Sequence, residues 1–273
     1  HETREVHVLA LEVETGAFAW TALVASQSQG LPPQVELAGT DERVVVITGL
    51  GLVVALDQDG ELVWARRYES ARDERDRRGG GGIPGMPRLG PEGELDPTAG
   101  KPERAPSSLV VRGSVWGAPA DAKKMWAWDL RTGEVEAVLA QPEGARIVAS
   151  RGTELVLLSG EGDLHLATKA GARLVAQVGG VLVGWPALAG DRVYVPRIDG
   201  VIEVDLQTKK GQKVAPAGRE WGHLVGAPGL IVSGAPSGLF AFGREPGVAP
   251  ALDDPIAQLG SPSFEAREVA MAA

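Results

Sequence analysis

The stretch Ala55–Trp64, ALDQDGELVW, decides the fold: an apolar run, an acidic residue, a turn carrying glycine, a second apolar run and a tryptophan. Ala10–Trp20, ALEVETGAFAW, keeps that order with one more residue in the turn. Ala127–Ala137, AWDLRTGEVEA, keeps Asp129, Thr132 and Gly133 but has Ala137 where the tryptophan stood. Weaker copies follow as HLATKAGARLV (His165–Val175), EVDLQTKKGQK (Glu203–Lys213) and AFGREPG (Ala241–Gly247). The turn position falls at Gly16, Gly60, Gly133, Gly171, Lys209 and Gly247, giving steps of 44, 73, 38, 38 and 38 residues. A period near 38 residues is the mark of a repeat architecture. The long step holds one extra segment between Ser70 and Pro106, rich in charge, glycine and proline, which reads as a surface loop.

Each later copy is preceded by a second apolar run: RVVVITG, SSLVVRG, TELVLLSG, DRVYVPR and GLIVSG. Ahead of three of these lies another, ARIVAS, GVLVGWPAL or GHLVGAP. The unit is therefore four short strands in about 38 residues, and its common physical solution is the blade of a β-propeller. In the repeated turn the carboxylate accepts backbone N–H groups and glycine takes the positive φ. The tryptophan four residues after the glycine is expected to pack between neighbouring blades. A content of 37 glycines and 19 prolines suits many tight turns.

The pattern Ala-x-Asp-x-x-Thr-Gly-x-x-x-Trp, preceded by a VVV or VYV strand, resembles the tryptophan-docking repeat of PQQ-like, quinoprotein-type β-propellers. The resemblance runs from about Glu5 to Gly243 apart from the insertion. It implies an all-β fold of four-stranded antiparallel blades, with about six repeats visible. Enzymes of that family hold their quinone beneath two adjacent cysteines and a calcium ion on Glu, Asn and Asp. This chain has neither Cys nor Asn, so that ligand set has no counterpart here. No cofactor is therefore expected, neither quinone nor calcium, and the chain is read as no enzyme. It is similar instead to non-catalytic envelope proteins of bacteria and to the outer-membrane assembly propeller. That similarity implies a periplasmic or envelope scaffold that binds protein partners. The alternative is a degenerate quinoprotein, or a small-ligand enzyme or sensor, using the central funnel.

A net charge of −9 argues against nucleic acid as a partner, and no apolar run is long enough for a membrane-spanning helix. His1, His7, His165 and His223 are too scattered to read as a metal site. The glycines at 79–82 lack the Lys and Ser/Thr of a phosphate cradle. Trp185 and Trp221 stand outside the docking position, in GWPAL and EWGHL, and His223 belongs to an expected innermost strand. These three are the candidates for partner or ligand contact. The domain expectation is repeats over 1–243, with 70–106 as an insertion, then an extended tail over 244–273 entering a helix capped by Ser263. With two strands in the first copy and three in the last, the chain reads as a piece of a longer propeller.

Overall fold

A computed structural model describes residues 3–27, 34–70, 107–215, 221–227, 230–235 and 238–243. Every regular element among them is a β-strand. The first sheet is the pair β1 (Arg4–Leu11) and β2 (Phe18–Gln27). The second contains β3 (Glu36–Gly39), β4 (Arg43–Ile47), β5 (Leu52–Asp57) and β6 (Leu62–Arg67), in chain order. The third contains β7 (Ser107–Val111), β8 (Ser114–Ala118), β9 (Lys124–Asp129) and β10 (Val135–Ala140). The fourth runs β11 (Arg146–Arg151), β12 (Glu154–Leu158), β13 (Asp163–Thr168) and β14 (Gly171–Gln177). The fifth is β15 (Ala187–Ala189), β16 (Arg192–Arg197), β17 (Gly200–Asp205) and β18 (Lys210–Ala215), and the sixth β19 (His223–Ala227), β20 (Leu230–Ala235) and β21 (Gly238–Gly243). These are antiparallel meanders of propeller-blade type, and the all-β expectation holds. The described residues form two compact units, those within 3–153 together with 167–172, and those within 154–166 together with 173–243. The insertion, its residues 71–106, and the tail 244–273 lie outside the described residues.

The third sheet corrects one reading of the sequence. SSLVV is its innermost strand rather than its second, because Arg112 and Gly113 both take positive φ, 48° and 80°, and turn the chain tightly into SVWGA. Two positive φ values in succession make the turn that matches the twist of a hairpin, so one apolar stretch becomes two paired strands.

The repeated turns behave as their chemistry requires. Asp129 Oδ1 accepts the N–H of Arg131 at 3.0 Å, the N–H of Thr132 at 2.7 Å and the Thr132 hydroxyl at 3.0 Å. These donors hold its carboxyl below the usual carboxylate range, the Thr132 N–H contributing most. Asp57 and Asp205 cap their turns likewise, each accepting two backbone N–H groups. Gly16, Gly60 and Gly133 take φ of 66°, 78° and 70°, and Lys209 follows at 58°.

Sheets in the first unit are joined by the tryptophans. Trp20 of β2 donates its Nε1–H to the carbonyl of Gln58, 2.6 Å away in the turn of the second sheet, and its ring lies on Gly60. Trp64 of β6 repeats this on the third sheet, donating to Leu130 at 3.0 Å and covering Gly133. Between the sheets, Val6, Val8 and Val24 of the first pack with Val46, Val54 and Leu56 of the second. Val45, Ile47, Val53 and Trp64 of the second pack with Val115, Trp126 and Trp128 of the third. Each sheet is buried on both faces where it has neighbours, which is why β4 and β5 read as continuous apolar runs.

Candidate functional site

The three residues singled out in the sequence are drawn together within the second unit. The N–H of Leu224 donates to the carbonyl of Trp185 at 2.8 Å, so the segment before β15 runs beside β19. Gly184 lies so close to Gly222 and His223 that a Cβ there would strike their backbone, at 2.2 Å from the Gly222 carbonyl oxygen. The side chains differ in role. Trp221 is buried among Ala187, Tyr194, Val201, Leu224 and Ile231, with its ring edge-on to Phe240 at 6.5 Å. Trp185 is half-buried, whereas His223 and Val225, alternate residues of β19, face outward on the exposed side of the strand. The accessible part of this seam is therefore His223, Val225 and part of Trp185.

A second exposed surface belongs to the first sheet. Val6, Val8 and Val24 face the second sheet, so the alternation puts Leu9 and Leu23 on the other side, with Leu11 and Phe18 exposed at the turn end. These four side chains are each more than half exposed.

Sequence reasoning missed a buried polar group in the first unit. Glu36 opens β3 and is only 8% exposed. Neither of its carboxylate oxygens has a hydrogen-bond partner of ordinary geometry among the described residues. Burial pushes its carboxyl up to about 8, with the nearby Asp121 charge adding to the rise, while the Ser108 hydroxyl and Ser107 N–H pull it partly back. Glu36 is thus a neutral acid at pH 7. Asp121 in turn accepts the Tyr68 hydroxyl at 2.8 Å and the Gly51 N–H at 3.2 Å. Burial and the Asp121 charge raise the Tyr68 phenol, so it stays a donor. Ser107 Oγ accepts the Ile147 N–H at 2.5 Å, which links β7 to β11. The only signal in the sequence was a charged residue inside the short apolar run VELAG.

No group of three or more His, Asp or Glu among the described residues is arranged to hold a metal ion. His7 lies 2.9 Å from Glu5 on the exposed face of β1, and His165 is half-buried in β13, where burial lowers its pKa. Among the described residues there is no helix long and apolar enough to cross a membrane.

Comparison with known proteins finds a family likeness over the first part of the chain and a likeness of fold over most of it. A family profile described as the outer membrane protein assembly factor BamB matches residues 2–87. No curated protein matches the sequence. Among solved structures, BamB from Moraxella catarrhalis is similar at a TM-score of 0.56 and 17% identity, over 86% of this chain and 66% of that one. The computationally designed protein Ika8 is similar at a TM-score of 0.54 and 14% identity, over 77% of this chain and 58% of that one. The chain thus spans less than two thirds of the length of either structure, and at such identities the likeness is one of fold.

Proposed function

We propose that this β-propeller of PQQ-like repeats is a non-catalytic scaffold that binds protein partners of an envelope assembly in the bacterial periplasm. The observation that carries the reading is the match of residues 2–87 to the outer membrane assembly-factor family. The same stretch supplies the exposed apolar residues Leu9, Leu11, Phe18 and Leu23, a surface suited to protein contact. A second contact surface is the seam of Trp185, Trp221 and His223. Here His223, Val225 and part of Trp185 would meet the partner, while Trp221 holds β19 in place from beneath. Fold alone does not assign a function, so the reading stands on these surfaces and on the family match.

The test is site-specific photo-crosslinking in the periplasm of the source bacterium. A photoreactive residue is placed at Leu9, at Val225 and, as a control, at the exposed Arg173. Crosslinks from Leu9 or Val225, but not Arg173, to outer-membrane assembly components or their barrel substrates support the scaffold. Crosslinks from none of the three sites, together with saturable calorimetric binding of PQQ and calcium, would replace it with the small-ligand reading.

A further inference from the structure

The filled joint between the second and third sheets shows what this kind of turn receives. Trp64 donates its Nε1–H to the Leu130 carbonyl and lies on Gly133, while Arg66, two residues on, donates its Nη2–H to the Thr132 carbonyl at 2.8 Å. The same turn stands in the first sheet. Gly16 N–H donates to the Glu12 carbonyl and Glu12 N–H to the Ala17 carbonyl, as Gly133 does to Asp129 and Asp129 to Glu134, all at 2.8 Å. The Thr15 hydroxyl donates to Glu12 Oε2 at 2.7 Å and accepts the Ala17 N–H at 3.0 Å. Thr132 does so with Asp129 and Glu134, at 3.0 Å and 3.2 Å. With φ of 66° at Gly16 and 70° at Gly133 the two turns share one conformation, and Val13 stands where Leu130 does. Their covering differs. A Cβ on Gly133 would strike Trp64, whereas one on Gly16 meets nothing within 4 Å.

The sheet face beside the empty turn is uncovered in the same register. Ala10 pairs with Trp20, Ala55 with Trp64 and Ala127 with Ala137, so Leu9 and Leu11 correspond to Val54 and Leu56 of the second sheet and to Trp126 and Trp128 of the third. Val54 and Leu56 face the first sheet, Trp126 and Trp128 face the second, and none of the four is more than 5% exposed. Leu9 and Leu11 are 58% and 53% exposed. This face therefore continues the stacking that already joins the three sheets. The exposed carboxylates of Glu12 and Glu14 flank its turn and favour a cation on whatever docks there.

No ring within the chain is free to fill the turn. Of the seven tryptophans, Trp20 and Trp64 are docked, Trp116, Trp126, Trp128 and Trp221 are buried, and Trp185 lies beside β19 in the second unit. A second copy has none to give either.

We propose that the first sheet docks a β-strand of a partner protein that presents a tryptophan and, two residues on, Arg or Lys. The indole lies on Gly16 and donates its N–H to the Val13 carbonyl, aliphatic side chains of the partner cover Leu9 and Leu11, and the cation meets the Thr15 carbonyl beside Glu12 and Glu14. Such docking rests on the scaffold reading above and names what the partner presents.

The test replaces Val13, which is 85% exposed, with a photoreactive residue in the source bacterium and sequences the crosslinked peptide by mass spectrometry. A peptide of a different protein, with a tryptophan and a basic residue two positions after it, supports the proposal. Gly16→Asn, which tolerates a left-handed backbone and covers the platform, is expected to lower this crosslink by about tenfold while leaving that from Val225 unchanged. Leu9→Glu, at an exposed position, should also lower it, and decides the matter if circular dichroism shows Gly16→Asn unfolded. A crosslink to the same polypeptide or to a second copy, a captured peptide without the tryptophan, a yield unchanged by the folded variants, or no crosslink from Val13 overturns the proposal. If Leu9 or Val225 then still captures assembly components, the scaffold stands and the indole docking alone fails; if neither captures anything, both fail.

Discussion

The ring of Trp64 lies directly on Gly133, so that a Cβ placed on this glycine would come within 2.5 Å of the indole. Gly133 also takes a φ of 70°, and Gly16, at the same place in the first sheet, takes 66°. The two glycines differ in what covers them, since a Cβ on Gly16 meets nothing within 4 Å. Alanine at either position bears the same backbone strain, about 1 kcal/mol. Gly133→Ala must in addition push the indole off its platform, which adds about 1–3 kcal/mol. Urea midpoints of the two variants therefore separate the docking contact from the turn. Equal losses of stability would show that the ring is not what constrains Gly133.

Trp64 contributes both area and a hydrogen bond, and two substitutions separate them. Trp64→Phe keeps most of the buried ring but loses the N–H donated to the Leu130 carbonyl at 3.0 Å, a cost of about 1 kcal/mol. Trp64→Ala also opens a cavity between sheets and is expected to cost about 3–5 kcal/mol. Trp20 is half-buried where Trp64 is 6% exposed, so Trp20→Ala should cost less than Trp64→Ala. Thermal unfolding of the three variants checks the order.

The joints were legible in the sequence because they are local. Asp, Thr, Gly and Trp sit within a dozen residues of one another, and their turn chemistry and the four-residue offset to the ring depend on nothing distant. The third sheet was misread for the same reason, since only the backbone shows that Arg112 and Gly113 break SSLVVRGSVWGA into two strands. Trp126 and Trp128 stack at 6.1 Å in β9 beside Tyr68, yet no repeat position predicted a core role for them. The polar group of Glu36, Tyr68 and Asp121 was invisible because its members come from three separate segments of chain. The seam of Trp185 with His223 lay between these cases: its residues were named in advance, but the backbone bond that joins them spans nearly forty residues.

Tyr68 and Asp121 are coupled across two sheets by the 2.8 Å hydrogen bond, so each should matter through the other. Tyr68→Phe leaves Asp121 with the Gly51 N–H at 3.2 Å and is expected to cost about 1–3 kcal/mol. Asp121→Ala should cost more, because it strands a buried phenol and frees the Gly51 N–H. A double-mutant cycle by urea unfolding is expected to give a coupling of about 1 kcal/mol or more. Strictly additive losses would mean that the bond contributes nothing to stability.

Glu36 makes stability fall as pH rises. Its folded-state value of about 8 lies above the ordinary 4.5, so between those values the folded protein keeps a proton that the unfolded chain has released. Stability from this group is therefore fully present below about 4.5, declines up to about 8, and is flat beyond. The charged group it faces is Asp121, beside the Tyr68 phenol and the Ser107 and Ser108 dipoles, and no cation among these relieves it. Glu36→Gln has nearly the same shape and no proton to lose. Its advantage over the wild type should grow with pH and reach about 4 kcal/mol near pH 7.5, toward an upper bound of about 5 kcal/mol set by the shift. Urea unfolding of both proteins from pH 5 to pH 9 measures the difference directly. A wild-type curve parallel to that of Glu36→Gln across this range would show that the carboxyl titrates as an exposed one does.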